Sequence, residues 1–361
     1  MKNRIFVSPS KYVQGPGILE ECGIHIRPWG NRPFIIGGRT AYSIVEKQVK
    51  SSLEKEGCTL TGVMLDVKKC TQRIIDQGCK EVKKSQADLI LGVGGGSAVD
   101  AAKAVAYHLH LPVATIPTVA STNADITAVS VIYDDEGKFS GRVRSHENPR
   151  VAIVDTRVLI SAPPGYLASG MGDALSCRFE VEACIESRSQ NHVGGSPPNM
   201  VKALCTLCHD TLLKNGTQAL ADAQNRRVTD AVETVVEAIK LQSAIGFENG
   251  GNAAAHAIHN GFTRASPVKG SHGEIVAFSV IAQLFLEGKP LSFIRDMARW
   301  CKNLGLPITL ADLSVPEEYV DPVSKETCRL GSSIYNEPFP VSHEDVASAI
   351  RSASECGDSL S

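Results

Sequence analysis

The sequence predicts an α/β half with a doubly wound, mostly parallel sheet, followed by an all-α half. Two patterns support this fold class. Up to about Asp155, short apolar runs alternate with segments of helical periodicity, which is typical of parallel βαβ units. After Pro163-Pro164 the β-branched runs give way to helical periodicity alone. In a chain of 361 residues we therefore expect two domains, residues 1–161 and 162–361.

The first half is predicted to alternate strands with helices along most of its length. Each apolar run predicts a buried strand, and each periodic segment between two runs predicts a helix. Strands are expected at residues 6–13, 33–39, 60–65, 89–93, 111–116, 129–133 and 151–155. Helices are expected at residues 40–54, 71–84 and 97–109.

The second half is predicted to contain helices joined by loops. Residues 188–199 form one such loop, because Gly194-Gly195 and Pro197-Pro198 interrupt regular structure there. Helices are expected at residues 166–186, 201–215, 219–243, 252–263, 272–286, 293–304 and 341–356.

The glycine turn Gly94-Gly95-Gly96 joins a predicted strand to a predicted helix. Glycines let the backbone approach a ligand, and the free amides of a helix N-terminus bind anions such as phosphate. Ser97 is expected to cap this helix and to donate to a phosphate. Gly92 and Gly94 fit the dinucleotide fingerprint, but Ser97 occupies the place of its third glycine. A tight turn without a ligand therefore stays an alternative at this point.

Composition excludes several classes of partner. The net charge of −2 gives no basis for binding nucleic acid or an anionic membrane. No run of about 18 apolar residues predicts a membrane helix. The N-terminal segment lacks the apolar stretch of a signal peptide, and the eleven cysteines are scattered rather than framework-like. We expect a cytoplasmic protein with reduced thiols.

Three residues of the helical half form a candidate metal site. Asp173, His256 and His272 offer one carboxylate and two imidazoles, a donor set that suits Zn²⁺ or Fe²⁺ and leaves a coordination position open. Each residue alone also has a structural explanation, and their spacing does not establish that they meet. His259 lies three residues after His256 on the same helix face, as a candidate proton relay or a structural histidine.

The chain resembles the glycerol dehydrogenase branch of the iron-containing alcohol dehydrogenases, which have a dehydroquinate synthase-like architecture. The resemblance runs through most of the chain, in the correct order. It is carried by Gly94-Gly95-Gly96, Asp100-x-x-Lys103, Ile116-Pro117-Thr118-Val119-Ala120-Ser121-Thr122, Ser130-Val131-Ile132-Tyr133, Gly170-Met171-Gly172-Asp173-Ala174, His256-Ala257-Ile258-His259-Asn260-Gly261 and His272-Gly273-Glu274.

The resemblance implies a divalent metal, a nicotinamide cofactor and a homo-oligomer, from dimer to octamer. It implies that Asp173, His256 and His272 are the metal ligands. We expect the catalytic residues to be these three together with His259. The cofactor contacts that we expect are Gly38, Arg39, Gly94, Gly95, Gly96, Ser97, Asp100, Thr118, Thr127, Val129 and Tyr133.

Three positions depart from the pattern of the family. Asn123 stands where similar glycerol dehydrogenases have Asp, which removes a negative charge beside the substrate and predicts tolerance of an anionic 2-hydroxy or 2-oxo acid. Gly38-Arg39 stands where an acidic residue would hold the ribose 2′-hydroxyl, which favours NADP over NAD. Cys177 stands one turn after Asp173, where iron-type relatives have a histidine ligand. Either a thiolate ligand favouring Zn²⁺ or, more commonly, a small buried thiol explains this residue.

The sequence thus predicts metal-dependent hydride transfer between NAD(P) and a small polyol, hydroxyketone or hydroxy acid. One alternative is a lyase of the dehydroquinate synthase type, which recycles its nucleotide within each turnover. The other is a catalytically silent nucleotide-binding sensor. A net change in the amount of NAD(P)H when substrate is added would exclude the lyase. Failure of the protein to bind metal would favour the sensor.

Overall fold

A six-stranded parallel sheet organises the N-terminal half in the computed structural model, which describes residues 3–360. Its order is β1-β8-β5-β4-β2-β3, and β6 and β7 form a separate antiparallel hairpin. The strands are β1 (Lys11–Gly15), β2 (Pro33–Gly37), β3 (Gly62–Met64), β4 (Leu89–Gly94), β5 (Val113–Pro117), β6 (Val129–Tyr133), β7 (Phe139–Arg144) and β8 (Val151–Asp155). Strands β2, β4, β5 and β8 are buried at every residue, which explains their unbroken apolar sequences.

Five α-helices lie in the described part of the same half. They are α1 (Cys22–Ile26), α2 (Arg39–Lys55), α3 (Gln72–Ser85), α4 (Gly96–Leu109) and α5 (Thr156–Ser161). The sequence did not predict the short helices α1 and α5 or the strand β7, and it placed β1 too early. Within residues 3–360, strand β1 pairs only with β8, and it is partly exposed, so its sequence lacks a clear alternation.

The C-terminal half is helical among the described residues. Its helices are α6 (Gly165–Glu186), α7 (Asn199–Gln224), α8 (Asp230–Glu237), α9 (Ser243–Gly250), α10 (Ala254–Ala265), α11 (His272–Leu286), α12 (Leu291–Asn303), α13 (Val320–Thr327) and α14 (His343–Asp358). This architecture confirms the predicted fold class.

The helix predicted over residues 219–243 is wrong, because this segment is broken twice. Helix α7 ends at Gln224, and Thr229 then caps α8 by accepting a hydrogen bond from the Val232 amide. A π-helical turn, Ala238–Gln242, separates α8 from α9. The apolar pattern continues across both breaks, so periodicity alone did not reveal them.

The chain divides into two compact units. The sheet unit comprises Val7–Pro163 and Asp222–Ala244. The helical unit comprises Pro164–Ala221 and the described residues of 1–6 and 245–361. The division at Pro163 lies close to the expected boundary, but the sheet unit also takes Asp222–Ala244. Glu233 helps to anchor this segment, because its backbone oxygen accepts a hydrogen bond from Gln14 Nε2 at 2.8 Å.

Among the described residues, no helix combines the length and the apolar character needed to span a bilayer.

Candidate functional site

The three predicted metal ligands lie together in the helical unit. Asp173 is on α6, His256 is in the first turn of α10, and His272 is the first residue of α11. The Asp173 Oδ1 atom lies 3.1 Å from His272 Nε2 and 3.5 Å from His256 Nε2. One donor atom from each residue lies within 4.8 Å of the others, so the set fits a single divalent cation.

Two glycines allow α6 and α11 to approach closely at this site. A Cβ atom on Gly273 would lie 1.8 Å from the Ser169 backbone oxygen, and one on Gly172 would lie 2.5 Å from the Gly273 oxygen. Each glycine is the chain neighbour of a donor residue, Asp173 or His272. The small residues therefore bring the carboxylate and the imidazole within reach of one another.

The start of α11 is fixed by its own sequence. The Ser271 backbone amide donates to Glu274 Oε2 at 2.6 Å, as in a capping box. The Ser271 hydroxyl also donates to the same carboxylate oxygen at 2.7 Å. This arrangement fixes His272 as the first residue of the helix.

The other nitrogen of each imidazole has a partner of its own. His256 Nδ1 lies 2.7 Å from Glu180 Oε2, and His272 Nδ1 lies 2.9 Å from His259 Nε2. Both rings are thereby turned with Nε2 towards Asp173. Sequence reasoning missed Glu180, although it lies seven residues after Asp173, a spacing that places both carboxylates on one face of α6.

Burial and charge set the protonation states of the metal-free site. Burial raises the pKa of Asp173, but the imidazoles of His272 and His256 outweigh it and lower the pKa below the ordinary value. Burial opposes the charged form of His256, but Glu180 and Asp173 raise its pKa to about 10. Burial and the charges of His272 and His256 lower the pKa of His259 well below its ordinary value. A cation must displace the proton of His256, whereas neutral His259 can accept a hydrogen bond from His272.

Cys177 lies outside the donor cluster, which corrects the hypothesis of a thiolate ligand. Its Sγ atom is 2.8 Å from the Cys205 Sγ atom, and it packs with Val181 and Val201. Its thiol thus belongs to a small buried cluster between α6 and α7, because the side chain points to the neighbouring helix.

The glycine turn has the backbone that the sequence indicates, but not the predicted cap. Gly94 has φ of 143°, a conformation that favours glycine, and Gly95 is the N-cap of α4 without a side-chain hydrogen bond. Ser97 is the second residue of the helix, so its prediction as the cap is wrong. A Cβ atom on Gly96 would lie 3.2 Å from Thr122 Oγ1, so a side chain at this position would crowd Thr122.

Asp100 occupies an internal position rather than the expected cofactor-facing one. Its carboxylate is buried, accepts a hydrogen bond from the Val131 amide at 3.1 Å, and lies 3.1 Å from Lys103 Nζ. The Lys103 ammonium also donates to the backbone oxygens of Thr127 and Val129. This buried pair therefore orders the segment that carries two of the expected cofactor contacts.

The remaining expected cofactor residues lie where a strand ends or where the helix that follows it begins. Gly38 caps α2, and the exposed Arg39 side chain lies 2.8 Å from Asp66 Oδ1. Thr118 follows β5 and donates its amide to the Gly94 oxygen at 3.1 Å. Tyr133 ends β6, with Lys69 Nζ lying 4.4 Å from its ring centre.

Asn123 is held by the segment that joins the sheet unit late in the chain. Its side-chain amide donates to the Ser243 hydroxyl at 3.2 Å. Next to it, the buried Lys240 ammonium donates to the Thr122 oxygen at 2.6 Å and to Asp125 Oδ1 at 2.8 Å. The π-helical turn supplies Lys240, so this break in the helix positions the loop that carries Asn123.

Comparison with known proteins places the chain in a family. A family model described as iron-containing alcohol dehydrogenase matches residues 9–156. The glycerol dehydrogenase of Escherichia coli O6:H1 is 38% identical over 98% of both chains. The glycolaldehyde reductase of Halobacterium salinarum is 35% identical, again over 98% of both. The solved glycerol dehydrogenase of Schizosaccharomyces pombe superposes with a TM-score of 0.94 at 34% identity, covering 99% of this chain and 92% of that one.

The chain therefore belongs to the iron-containing alcohol dehydrogenases, which are metal-containing, nicotinamide-dependent oxidoreductases. Within this family it is a glycerol dehydrogenase-like member. This assignment confirms the predicted class of enzyme.

Proposed function

We propose that this enzyme transfers hydride between NAD(P) and a small polyol or the corresponding hydroxyketone, with one divalent cation held by Asp173, His256 and His272. The observation that carries the proposal is the convergence of these three donors from three helices. Zn²⁺ is the proposed ion, because one carboxylate and two imidazoles form a common catalytic zinc set with an open position; Fe²⁺ is the second choice.

The bound cation would lower the pKa of a substrate hydroxyl and the nicotinamide would exchange hydride with the adjacent carbon. The protein holds the donor atoms and sets where protons reside. The His272 Nδ1 proton is donated to His259 Nε2, and His259 Nδ1 in turn faces Asn260 Oδ1 at 3.3 Å. This series of hydrogen bonds supports a role for His259 as a proton relay.

The glycine turn and the N-terminus of α4 are the proposed phosphate site of the dinucleotide. A 14-residue helix begins at Gly96 and presents its first amides there. Gly94, Gly95, Gly96 and Ser97 form this site. Thr118, Thr127, Val129 and Tyr133 are the proposed contacts to the rest of the cofactor.

NADP(H) is the proposed dinucleotide. The segment at the end of β2 reads Gly37-Gly38-Arg39 and contains no acidic residue to hold a ribose 2′-hydroxyl, and the Arg39 side chain is 72% exposed. The ion pair with Asp66 is a surface pair worth under about 1 kcal/mol, so a 2′-phosphate can compete for the guanidinium.

The proposed substrate is a neutral polyol such as glycerol, with a small anionic 2-oxo acid as a second candidate. The names of the glycerol dehydrogenase and glycolaldehyde reductase relatives favour small hydroxylated compounds. Neutral Asn123 favours the second candidate, because an aspartate at this position would repel a carboxylate. A clear kcat/KM preference for glycerol over 2-oxo acids would exclude the 2-oxo acid as the substrate.

We also propose a cytoplasmic homo-oligomer, from dimer to octamer. None of the eleven cysteines is in a disulfide in the described part of the chain, which fits a reducing compartment. Light scattering of the purified enzyme would give the number of chains.

The metal centre is tested by Asp173→Asn with Asp210→Asn as the matched control, since Asp210 is an exposed aspartate of α7. The wild type and the control are expected to retain one Zn²⁺ per chain and to show a net change in NAD(P)H concentration when substrate is added. The Asp173 variant is expected to lose both, with activity falling more than about 100-fold. Equal metal content and activity in all three proteins would contradict the proposed ligands. Metal binding without any net change in NAD(P)H would favour the lyase.

A further inference from the structure

Glu180 contacts His256 at both its ring and its backbone. Glu180 Oε2 lies 2.7 Å from His256 Nδ1, and Oε1 accepts the His256 backbone amide at 2.9 Å. Oε1 also accepts the Ala253 amide at 2.9 Å. A single carboxylate, 1% exposed, therefore serves three N–H groups at the start of α10.

The remaining amides of that helix start are satisfied from other elements. The Ala254 amide donates to Glu337 Oε1 and the Ala255 amide donates to Gln283 Oε1, both at 3.0 Å. Neither Glu337 nor Gln283 makes a hydrogen bond to the His256 ring in the described structure. Glu180 is thus distinguished from the two other capping groups by its contact with the imidazole.

Building on the proposed metal centre, we infer that Glu180 is a positioning residue for the cation. Its carboxylate accepts the Nδ1 proton of His256, so that Nε2 is the nitrogen directed at the position shared with Asp173 and His272 and the one that gives up its proton to a cation. His272 has no such anchor, because its Nδ1 partner is the neutral imidazole of His259. The two histidines are therefore not equivalent, and His256 is the one held in place by charge.

The substitution Glu180→Gln isolates this role. A glutamine has one acceptor oxygen and one NH₂ group, so it cannot accept hydrogen bonds from both the ring and the backbone as the carboxylate does. Glu337→Gln is the matched control, since it alters a buried capping carboxyl group of the same helix start that makes no contact with the ring.

Zn²⁺ affinity is measured by competition with a chromophoric chelator at neutral pH. We expect Glu180→Gln to weaken affinity about 10- to 100-fold, and Glu337→Gln to change it less than about threefold. Equal weakening in both variants would reduce Glu180 to a helix cap and overturn the inference. A Glu180→Gln affinity within about twofold of wild type would overturn it as well.

A spectroscopic measurement keeps the test valid if Glu180→Gln does not fold. The Zn²⁺-loaded wild type, labelled at histidine with ¹⁵N, is expected to show a downfield Nδ1 proton resonance for His256 that Glu337→Gln retains. Absence of that resonance in the wild type would overturn the inference. A wild type that binds no Zn²⁺ would overturn the proposed metal centre and this inference with it, whereas normal wild-type binding with an unaffected Glu180 variant overturns the inference alone.

Discussion

At the residue scale, Glu337 shows how burial decides the charge of a side chain. Burial, followed by the charge of Glu287, raises the pKa of Glu337 to about 8, against 4.5 for the free side chain. Because the folded pKa is the higher one, the stabilising contribution of the neutral carboxyl is complete below about pH 4.5. It is lost as the pH rises through about 8.

Glu337→Gln is therefore expected to remove a pH-dependent loss of stability. In the metal-free protein, the variant and wild type should melt at similar temperatures near about pH 5, and the variant should melt a few degrees higher near about pH 9. Thermal unfolding followed by circular dichroism at both values checks this. A difference in melting temperature that does not change with pH would show that Glu337 is ionised throughout.

The metal-binding residues were predictable because their side chains are common metal donors. Asp173, His256 and His272 were named from their donor atoms and the family resemblance, and the structure brings them together. Glu180 was not predicted, because its importance comes from a contact between α6 and α10 that no local pattern encodes. The hypothesis that Cys177 is a metal ligand was wrong. Helical spacing placed this residue one turn from Asp173, but its thiol packs on Cys205.

At the scale of elements, the close packing of α6 on α11 sets the geometry of the donors. Gly273→Ala would place a methyl group 1.8 Å from the Ser169 backbone oxygen, so one helix must shift. We expect destabilisation of about 1–3 kcal/mol or more, with Zn²⁺ affinity lowered more than about tenfold. Denaturant unfolding and chelator competition measure the two effects.

Gly165→Ala is the matched control for this substitution. Gly165 begins the same helix α6 and has no atom within 4 Å of its would-be Cβ, so the variant should be as stable as wild type or slightly more stable. A Gly273→Ala protein with wild-type stability and affinity would show that α6 and α11 tolerate a wider separation.

Elements were predictable where burial is complete and less so where it is partial. Strand β8, buried at every residue, was predicted with its observed ends. Strand β7 was missed because its sequence, Phe139–Arg144, is largely exposed and carries charges. The break between α7 and α8 depends on the cap at Thr229, which a continuous apolar pattern conceals.

At the scale of the whole molecule, alternation of strands and helices was enough to predict the fold class, whereas the path of the chain was not predictable. The return of Asp222–Ala244 to the sheet unit rests on contacts between residues far apart in sequence, such as Lys240 with Asp125. The buried Lys240 and Asp125 side chains are 1% and 2% exposed, so each requires the other as a partner. This long-range pair fixes the loop of Asn123, and a sequence pattern does not record it.

Cofactor preference belongs to this scale, because it compares two dinucleotides on the complete enzyme. We expect a higher kcat/KM with NADPH than with NADH. Arg39→Ala should lower the NADPH value about 10- to 100-fold and leave the NADH value nearly unchanged, since a charge-assisted hydrogen bond is worth about 1.5–3 kcal/mol. Asp66→Asn should raise kcat/KM with NADPH, because it removes the carboxylate that accepts hydrogen bonds from the Arg39 guanidinium. A wild type that prefers NADH, or an Arg39→Ala variant that loses both activities equally, would show that Arg39 does not select the 2′-phosphate.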